Sequence, residues 1–394
     1  MIKNKNLLII ALIALVNMLG YGIIIPLLYS YSKKFGLSDF QNGLLFATYS
    51  ICQFFSTPII GRLSDKYGRR PMLLISIIGT ALSFFMMAFA PSALFLLLSR
   101  ALDGLTAGNI PVAFAVISDS TKPEERAKAF GLISSAFNFG FVFGPAIAAL
   151  TIALHPALPF IIAGVITTIA AILTALYLPE TNKHMGEVKN GKLFDFKLIW
   201  KTLFDPNVGA TFLISFFFFL AFACSIIYGF QPFTLNILHI TQSQNALLFT
   251  LFGAIGLIAQ TFLVGRVAKK LGTKKSFSTG IFFTALSLII MSLSHSIIVF
   301  VITIIGLALF NSLSQTLIPT ILSQEADEKS QGSIMGLNTS YQSIGMILGP
   351  ILGGVIATAI SIPVTFLVGG LLLLVCFFLS FKVLRPGIKK ESAF

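Results

Sequence analysis

The chain has 394 residues, of which 56% are hydrophobic and only 10% charged, with 40 phenylalanines and a mean hydropathy of +0.92. Soluble domains run near 25% charged, so this composition excludes a single soluble core. The net charge of +13 would suit nucleic acid if it formed one face of a soluble module; here the basic residues stand in short loops between apolar runs, so nucleic acid is not expected as a partner.

About 20 predominantly apolar residues cross a bilayer. Twelve segments meet this: 7–30, 40–60, 71–90, 93–118, 129–152, 157–178, 207–231, 245–265, 275–293, 297–322, 332–357 and 362–384. The first follows Lys3 and Lys5 as a signal peptide would, but the apolar run continues to Ser30 without a small-residue cleavage site, so it reads as a span. The longest polar connection, 179–206, holds Glu180, Lys183, Glu187, Lys189, Lys192, Asp195, Lys197 and Lys201 and divides six spans from six. The expected fold is all-α and integral to the membrane, with a six-helix bundle over 1–178, a cytoplasmic linker over 179–206 and a second six-helix bundle over 207–394. Cys52, Cys224 and Cys376 each lie in an apolar run without metal-ligand spacing and read as packing residues.

Orientation follows from Lys and Arg. With the N-terminus inside, 24 of the 27 fall in inner segments, Lys33 and Lys34 fall outside, and Arg100 lies within a span. Such a bias predicts an inner (cytoplasmic) membrane protein with both termini in the cytoplasm.

Two sets of residues recur at a nearly constant offset. Gly61–Arg70 (GRLSDKYGRR) has a weaker copy 204 residues on, Gly265–Lys274 (GRVAKKLGTK). Gly131, Gly140, Gly144 and Pro145 return 205 residues on as Gly336, Gly345, Gly349 and Pro350. The chain therefore reads as one duplicated membrane unit, the arrangement of transporters that work between their halves.

Each motif has a physical reading. In 61–70, Gly61 and Gly68 allow a tight turn, while Arg62, Arg69 and Arg70 anchor at lipid headgroups. Beyond anchoring, Asp65 can act as a clasp, pairing with Arg69 or another inner-loop base or facing a helix N-terminus in the other half. Asp119, at the inner end of span 4, is a candidate partner for Arg62 or Arg69, whereas the second copy has Ala268 in place of the acid. Gly140 and Gly144 share one helical face and permit close approach, and Pro145 can kink the helix. That set reads either as packing or as a hinge between access states.

With this topology the chain resembles the major facilitator superfamily, and within it the twelve-span drug:proton antiporters, the bacterial tetracycline and multidrug exporters above all. The residues that carry the likeness are GRLSDKYGRRP at 61–71, Arg100 with Gly104 and Gly108 in span 4, Gly140-Phe-Val-Phe-Gly144-Pro145 in span 5, and Leu19-Gly20-Tyr21-Gly22 followed by Pro26 in span 1. The resemblance implies two bundles around a central cavity and alternating access. This chain departs from it at Asn17, where tetracycline-type exporters commonly carry an acid, and at Ser83 and the stretch near Thr284, which align with acids of spans 3 and 9.

Arg100 and Asp103 are the ionisable side chains well inside a predicted span, three residues apart on one helical face. A charge there costs at least about 2.5–3.5 kcal/mol, so such residues face the bundle interior. They read either as a self-neutralising structural pair or as a fixed cation holding a protonatable acid. Asn17, Gln53, Asn109, Asn138, Tyr228, Gln231, Asn311, Gln315, Tyr341 and Gln342 are candidates for the substrate cavity, each with an interhelical hydrogen bond as the plainer alternative. A mostly apolar cavity with few polar anchors suits amphipathic molecules. No phosphate loop, metal-ligand cluster or nucleophile–base pair is legible, so no cofactor, metal or catalysis is expected.

The expected function is secondary export of lipophilic or amphipathic small molecules, coupled to protons, by a monomer in the lipid bilayer. The alternatives are a facilitator or importer of a polar metabolite with the same fold, and a membrane receptor that transports nothing.

Overall fold

The computed structural model describes residues 5–182, 185–186, 196–325 and 330–384. Lys183, Glu187, Lys189, Lys192 and Asp195 of the linker lie outside the described residues. Among the described residues all regular structure is helical. Twelve helices are long and apolar enough to cross a membrane: α1 Asn6–Ile24, α2 Asp39–Tyr67, α3 Arg69–Ala88, α4 Ala93–Ser120, α5 Lys128–Ile152, α6 Leu158–Tyr177, α7 Gly209–Asn236, α8 Gln242–Leu271, α9 Thr273–Ser292, α10 Ile297–Glu325, α11 Gln331–Ala359 and α12 Pro363–Lys382. Helices satisfy every backbone group within the segment, which a bilayer core demands.

Several spans are interrupted where continuous helices were expected. The first, read as 7–30, ends at Ile24, because Pro26 offers no N–H and biases the preceding residue out of the helical region. A separate short helix, Leu28–Lys33, follows. α4 breaks at Ala107–Gly108 and restarts at Asn109. Gly108 is required there, since a Cβ would stand 2.4 Å from the Ile60 side chain. α7 and α8 each contain a wider π-turn segment, Ala223–Gly229 and Ala259–Leu263, of the kind that recurs at functional positions. The short helix Phe196–Thr202 precedes α7 and exposes Phe196 and Trp200.

The chain divides into two compact units. One comprises Met1–Leu37, Thr48–Leu193 and Thr241–Thr250; the other comprises Ser38–Ala47, Phe194–Ile240 and Leu251–Phe394. In the first, Ile10, Ile13, Leu73, Ile77, Val112 and Ile117 form an apolar core. In the second, the Phe233 ring packs against Phe300 at 5.3 Å and Phe366 at 5.1 Å.

The repeat is visible as packing. A Cβ at Gly140 of α5 would lie 2.5 Å from the carbonyl oxygen of Leu15, and one at Gly345 of α11 would lie 2.8 Å from the amide nitrogen of Leu220. Both glycine and partner shift by 205 residues between the units. Gly131 and Gly336, which recur at the same offset, have nothing within 4 Å of the added carbon. The repeated glycines thus separate into pairs that allow helix contact and pairs that do not.

Gly140→Leu should therefore lower stability by about 1–3 kcal/mol, the usual effect of over-packing, while Gly131→Ala, at an open helical position, should raise it by up to about 1 kcal/mol. Thermal unfolding of the two purified variants in detergent checks this contrast.

Candidate functional site

α4 begins at Ser92, whose hydroxyl accepts the Phe95 amide at 3.3 Å and starts the helix cleanly. Two turns later Arg100 and Asp103 face the interior of the first unit. Arg100 Nη1 donates to Asp103 Oδ2 at 3.0 Å, with the side chains only 3% and 9% exposed. The i,i+3 spacing makes the contact local to one helix. The guanidinium also lies over the Tyr49 ring, 4.5 Å from its centroid, a position that favours a desolvated cation. Gly104 makes this approach possible, because a Cβ there would come within 2.5 Å of the Tyr49 carbonyl oxygen. Ser56 of α2 fastens the same contact by donating to the Gly104 carbonyl at 2.8 Å. Gln53 donates to the Tyr49 hydroxyl at 3.1 Å, and the Tyr21 ring of α1 lies 6.2 Å from that of Tyr49. Arg100 Nε is buried without a partner, so the guanidinium keeps one hydrogen-bonding group in reserve.

Next to this pair, Asn109 Nδ2 donates to Asn17 Oδ1 at 3.4 Å. The remaining cavity candidates are distributed more widely. Asn138, Gln342 and Gln315 are part-exposed or exposed, while Gln231 and Asn311 are buried. Tyr228 is fully buried and donates to the Asp39 carbonyl at 3.0 Å. The Tyr341 hydroxyl bonds that of Thr202 at 2.8 Å, and its ring stacks on Phe212 at 4.8 Å. These two tyrosines hold helices within their own unit.

At the α2–α3 turn, Arg69 joins two acids. Its Nη1 donates to Asp65 Oδ1 at 2.5 Å and its Nε to Asp119 Oδ2 at 3.2 Å, so one guanidinium ties the ends of α2 and α4 to the start of α3. Gly68 provides the turn with φ of +105°. Against it sits Glu180, just past α6. Its two oxygens accept the backbone N–H of Arg69 at 2.9 Å and of Arg70 at 3.1 Å, an acid at the positive end of α3. Asn182 completes the tie by donating to the Asp65 carbonyl at 2.9 Å, and the Arg70 guanidinium donates to the Ala175 carbonyl. Burial raises the Glu180 carboxyl, but the N–H groups of Asn182, Arg69, Arg70 and Thr181 together outweigh it and hold it below the usual carboxylate range.

Glu180 and Asn182 were legible in the sequence only as linker polarity. The available signal was an acid directly after Pro179, where a helix must stop, but not which N–H groups it would meet. In the second unit, Glu325 accepts from Thr211 Oγ1 at 2.7 Å, where the first unit has the neutral Asn6–Ser120 contact at 3.5 Å. Among the described residues no three His, Cys, Asp or Glu side chains converge on a metal position.

Twelve helices long and apolar enough to cross a membrane, in two repeat-related sets with a charged pair inside one of them, have the organisation of a multi-pass membrane transporter. The chain belongs to the Major Facilitator Superfamily, whose sequence model matches residues 10–230 and again 211–394. It is 29% identical over 361 residues to the class H tetracycline resistance protein of Pasteurella multocida, covering 89% of this chain and 88% of that one. It is also 29% identical over 366 residues to multidrug resistance protein 1 of Bacillus subtilis (strain 168), covering 90% of each. Among solved structures, a bacterial homologue of the human lysosomal transporter Spinster, inward-facing and occupied, shares the fold with a TM-score of 0.78 at 18% identity over 97% of both chains.

Glu180→Gln should destabilise the protein at neutral pH by about 1 kcal/mol, the scale of a lost helix cap. Because the folded carboxyl titrates below its ordinary value of 4.5, the native advantage is complete above that value and disappears as pH falls through the folded one. Unfolding midpoints of parent and variant, measured across an acid series, should converge at low pH.

Proposed function

We propose that the protein exports amphipathic or lipophilic small molecules by alternating access in exchange for protons. It would act as a monomer in the inner (cytoplasmic) membrane with both termini in the cytoplasm. The single observation that carries the coupling is the buried Arg100–Asp103 pair. Two charges in an apolar bundle are tolerated only while each neutralises the other. A proton on Asp103 leaves Arg100 uncompensated and frees its Nη1, so protonation state and bundle charge change together. A substrate bearing a positive group is then disfavoured, and an ionised Asp103 favours it again on the opposite side. Proton and substrate compete for one unit of charge. The names of the tetracycline and multidrug resistance relatives support export of drug-like compounds.

The two halves, residues 1–178 and 207–394, serve in this reading as the moving bundles, and the cavity candidates supply the substrate's few polar anchors. Gly140, Gly144 and Pro145 act as hinge as well as packing. The α2–α3 network is the clasp: Arg69 can leave either Asp65 or Asp119 without becoming unpaired, which suits a contact remade during each cycle.

Reconstituted in proteoliposomes, Asp103→Asn should abolish concentrative substrate movement driven by a pH gradient while leaving downhill exchange at least partly intact, at a lower rate for substrates that bear a positive group. Arg100→Lys should preserve more activity than Arg100→Ala, since a positive charge remains. Uphill, pH-driven transport by Asp103→Asn would place the proton on another group.

The clasp makes a separate forecast. Asp65→Asn should slow turnover severalfold while substrate affinity stays close to the parent value, because the Asp65 carboxylate is spent on Arg69 at the α2–α3 turn and not on the α4 pair. Matched equilibrium binding and flux measurements check it, and loss of affinity at unchanged turnover would make Asp65 a binding residue.

A further inference from the structure

Inside the first unit, α1, α3, α4 and α6 border a small, partly open pocket lined by Asn17, Thr80 and Asn109 among apolar residues such as Ile13 and Ile77. Its volume, about 10 Å³, stands at the lower edge of what one water molecule needs, and a water also requires two or more polar partners. Those partners are present. Thr80 and Asn109 are 5% and 3% exposed, and Thr80 Oγ1 and Asn109 Oδ1 are buried without a hydrogen-bond partner. The orientation of Asn109 is fixed by its other atom, since Nδ2 is spent on Asn17 and Oδ1 is left as an acceptor. An acceptor and a hydroxyl facing one water-sized space call for a molecule that donates to the first and exchanges hydrogen bonds with the second.

Asn17 is part-exposed. α3 packs closely on α4 here, a Cβ at Gly79 standing 2.3 Å from the Thr106 side chain, and Thr80 is among the groups that act on the Asp103 carboxylate. Ser83, one turn further along α3, donates its hydroxyl to the Thr80 carbonyl at 2.8 Å. The groups that face Asp103 or its partner with charge or a titratable proton are Arg100 on α4, Tyr49 and Cys52 on α2 and Tyr21 on α1. None of these lines the cavity.

We propose that Asn17, Asn109 and Thr80 bind a water molecule inside the first unit, and that this water passes protons between the exposed side of Asn17 and Asp103. The transfer is balanced within the chain of groups. The water, protonated from the Asn17 side, gives a proton to Thr80 Oγ1; Thr80 releases its own hydroxyl proton to an Asp103 oxygen. No bond other than O–H bonds forms or breaks, and the reverse sequence returns the proton. The two asparagines hold the water and do not themselves change protonation state. Thr80 is thus a relay residue, and Asn17 and Asn109 are positioning residues.

This inference rests on proton coupling through Asp103, and the experiment separates the two. Thr80→Val keeps the side-chain volume and removes the hydroxyl; Thr80→Ser keeps the hydroxyl. In proteoliposomes Thr80→Val should lower pH-gradient-driven transport by about 100-fold, the lower end of what a positioned proton-transfer group contributes, with downhill exchange and substrate affinity retained. Thr80→Ser should restore the driven rate. An unchanged driven rate in Thr80→Val, or equal loss of driven transport, exchange and binding, overturns the relay. The parent protein provides a test independent of variant folding. Infrared difference spectra recorded as Asp103 titrates should contain an internal-water O–H band that shifts in H₂¹⁸O and is absent from Asp103→Asn; spectra without it overturn the water site. If Asp103→Asn still drives uphill transport, it is the coupling assignment that fails, whereas coupling lost in Asp103→Asn but intact in Thr80→Val rejects the relay alone.

Discussion

Neutralisation of one arginine by an aspartate three residues away is what lets α4 lie inside an apolar unit. An isolated charge at that depth would cost several kcal/mol, and a pair costs less only when its geometry is good and its surplus hydrogen-bonding groups are met. Here the Coulombic contact is local to one helix, so it forms as soon as α4 does. Its surroundings are supplied from elsewhere: the face of Tyr49 receives the guanidinium, and Gly104 removes the side chain that would keep α2 at a distance. Replacing that glycine would therefore disturb the electrostatics of the pair through packing alone. The break at Ala107–Gly108 has a related effect, since it ends one helical segment and begins another with Asn109 turned inward.

The second centre of organisation lies at the α2–α3 turn, and its logic differs. The Arg69 network is partly exposed: Asp65 and Asp119 are 49% and 28% exposed, against 12% for Arg69. Exposed ion pairs contribute little to stability, with a median of roughly 0–1 kcal/mol. A pair of that size adds little to the hold of the fold. The Glu180 cap is a firmer element, because it satisfies backbone groups at a helix start that would otherwise be unpaired. The start of α3 is thus fixed by backbone N–H groups on Glu180, independently of the exposed ion pair beside it.

How much of this could be read from residues alone depended on distance along the chain. Span number followed from apolar run length, and the Arg100–Asp103 contact followed from helical periodicity, since both are local. The partners of Arg69 were legible by charge type, but the choice between Arg62 and Arg69 for Asp119 needed the spatial meeting of α2, α3 and α4. Repeated glycines looked equivalent, yet Gly140 touches backbone and Gly131 touches nothing; sequence spacing does not encode which face meets a neighbour. The need for glycine at 108, beside the break in α4, comes from Ile60 on α2, a tertiary fact. Glu180 and Thr80 were missed for the same reason: their partners stand on other helices.

One peripheral feature has an optical consequence. Trp200 is the sole tryptophan, 67% exposed and set edge-on to Phe204 at 5.7 Å. Its short helix is held to α11 through the Thr202–Tyr341 hydrogen bond, and α11 carries the Gly345, Gly349 and Pro350 repeat of the hinge set. The protein thus contains a native fluorophore, free of spectral overlap from any second indole, attached to a helix that must repack if the hinge works. Its emission maximum and quenching by brominated lipid or aqueous iodide report the surroundings of that helix without a label or a mutation.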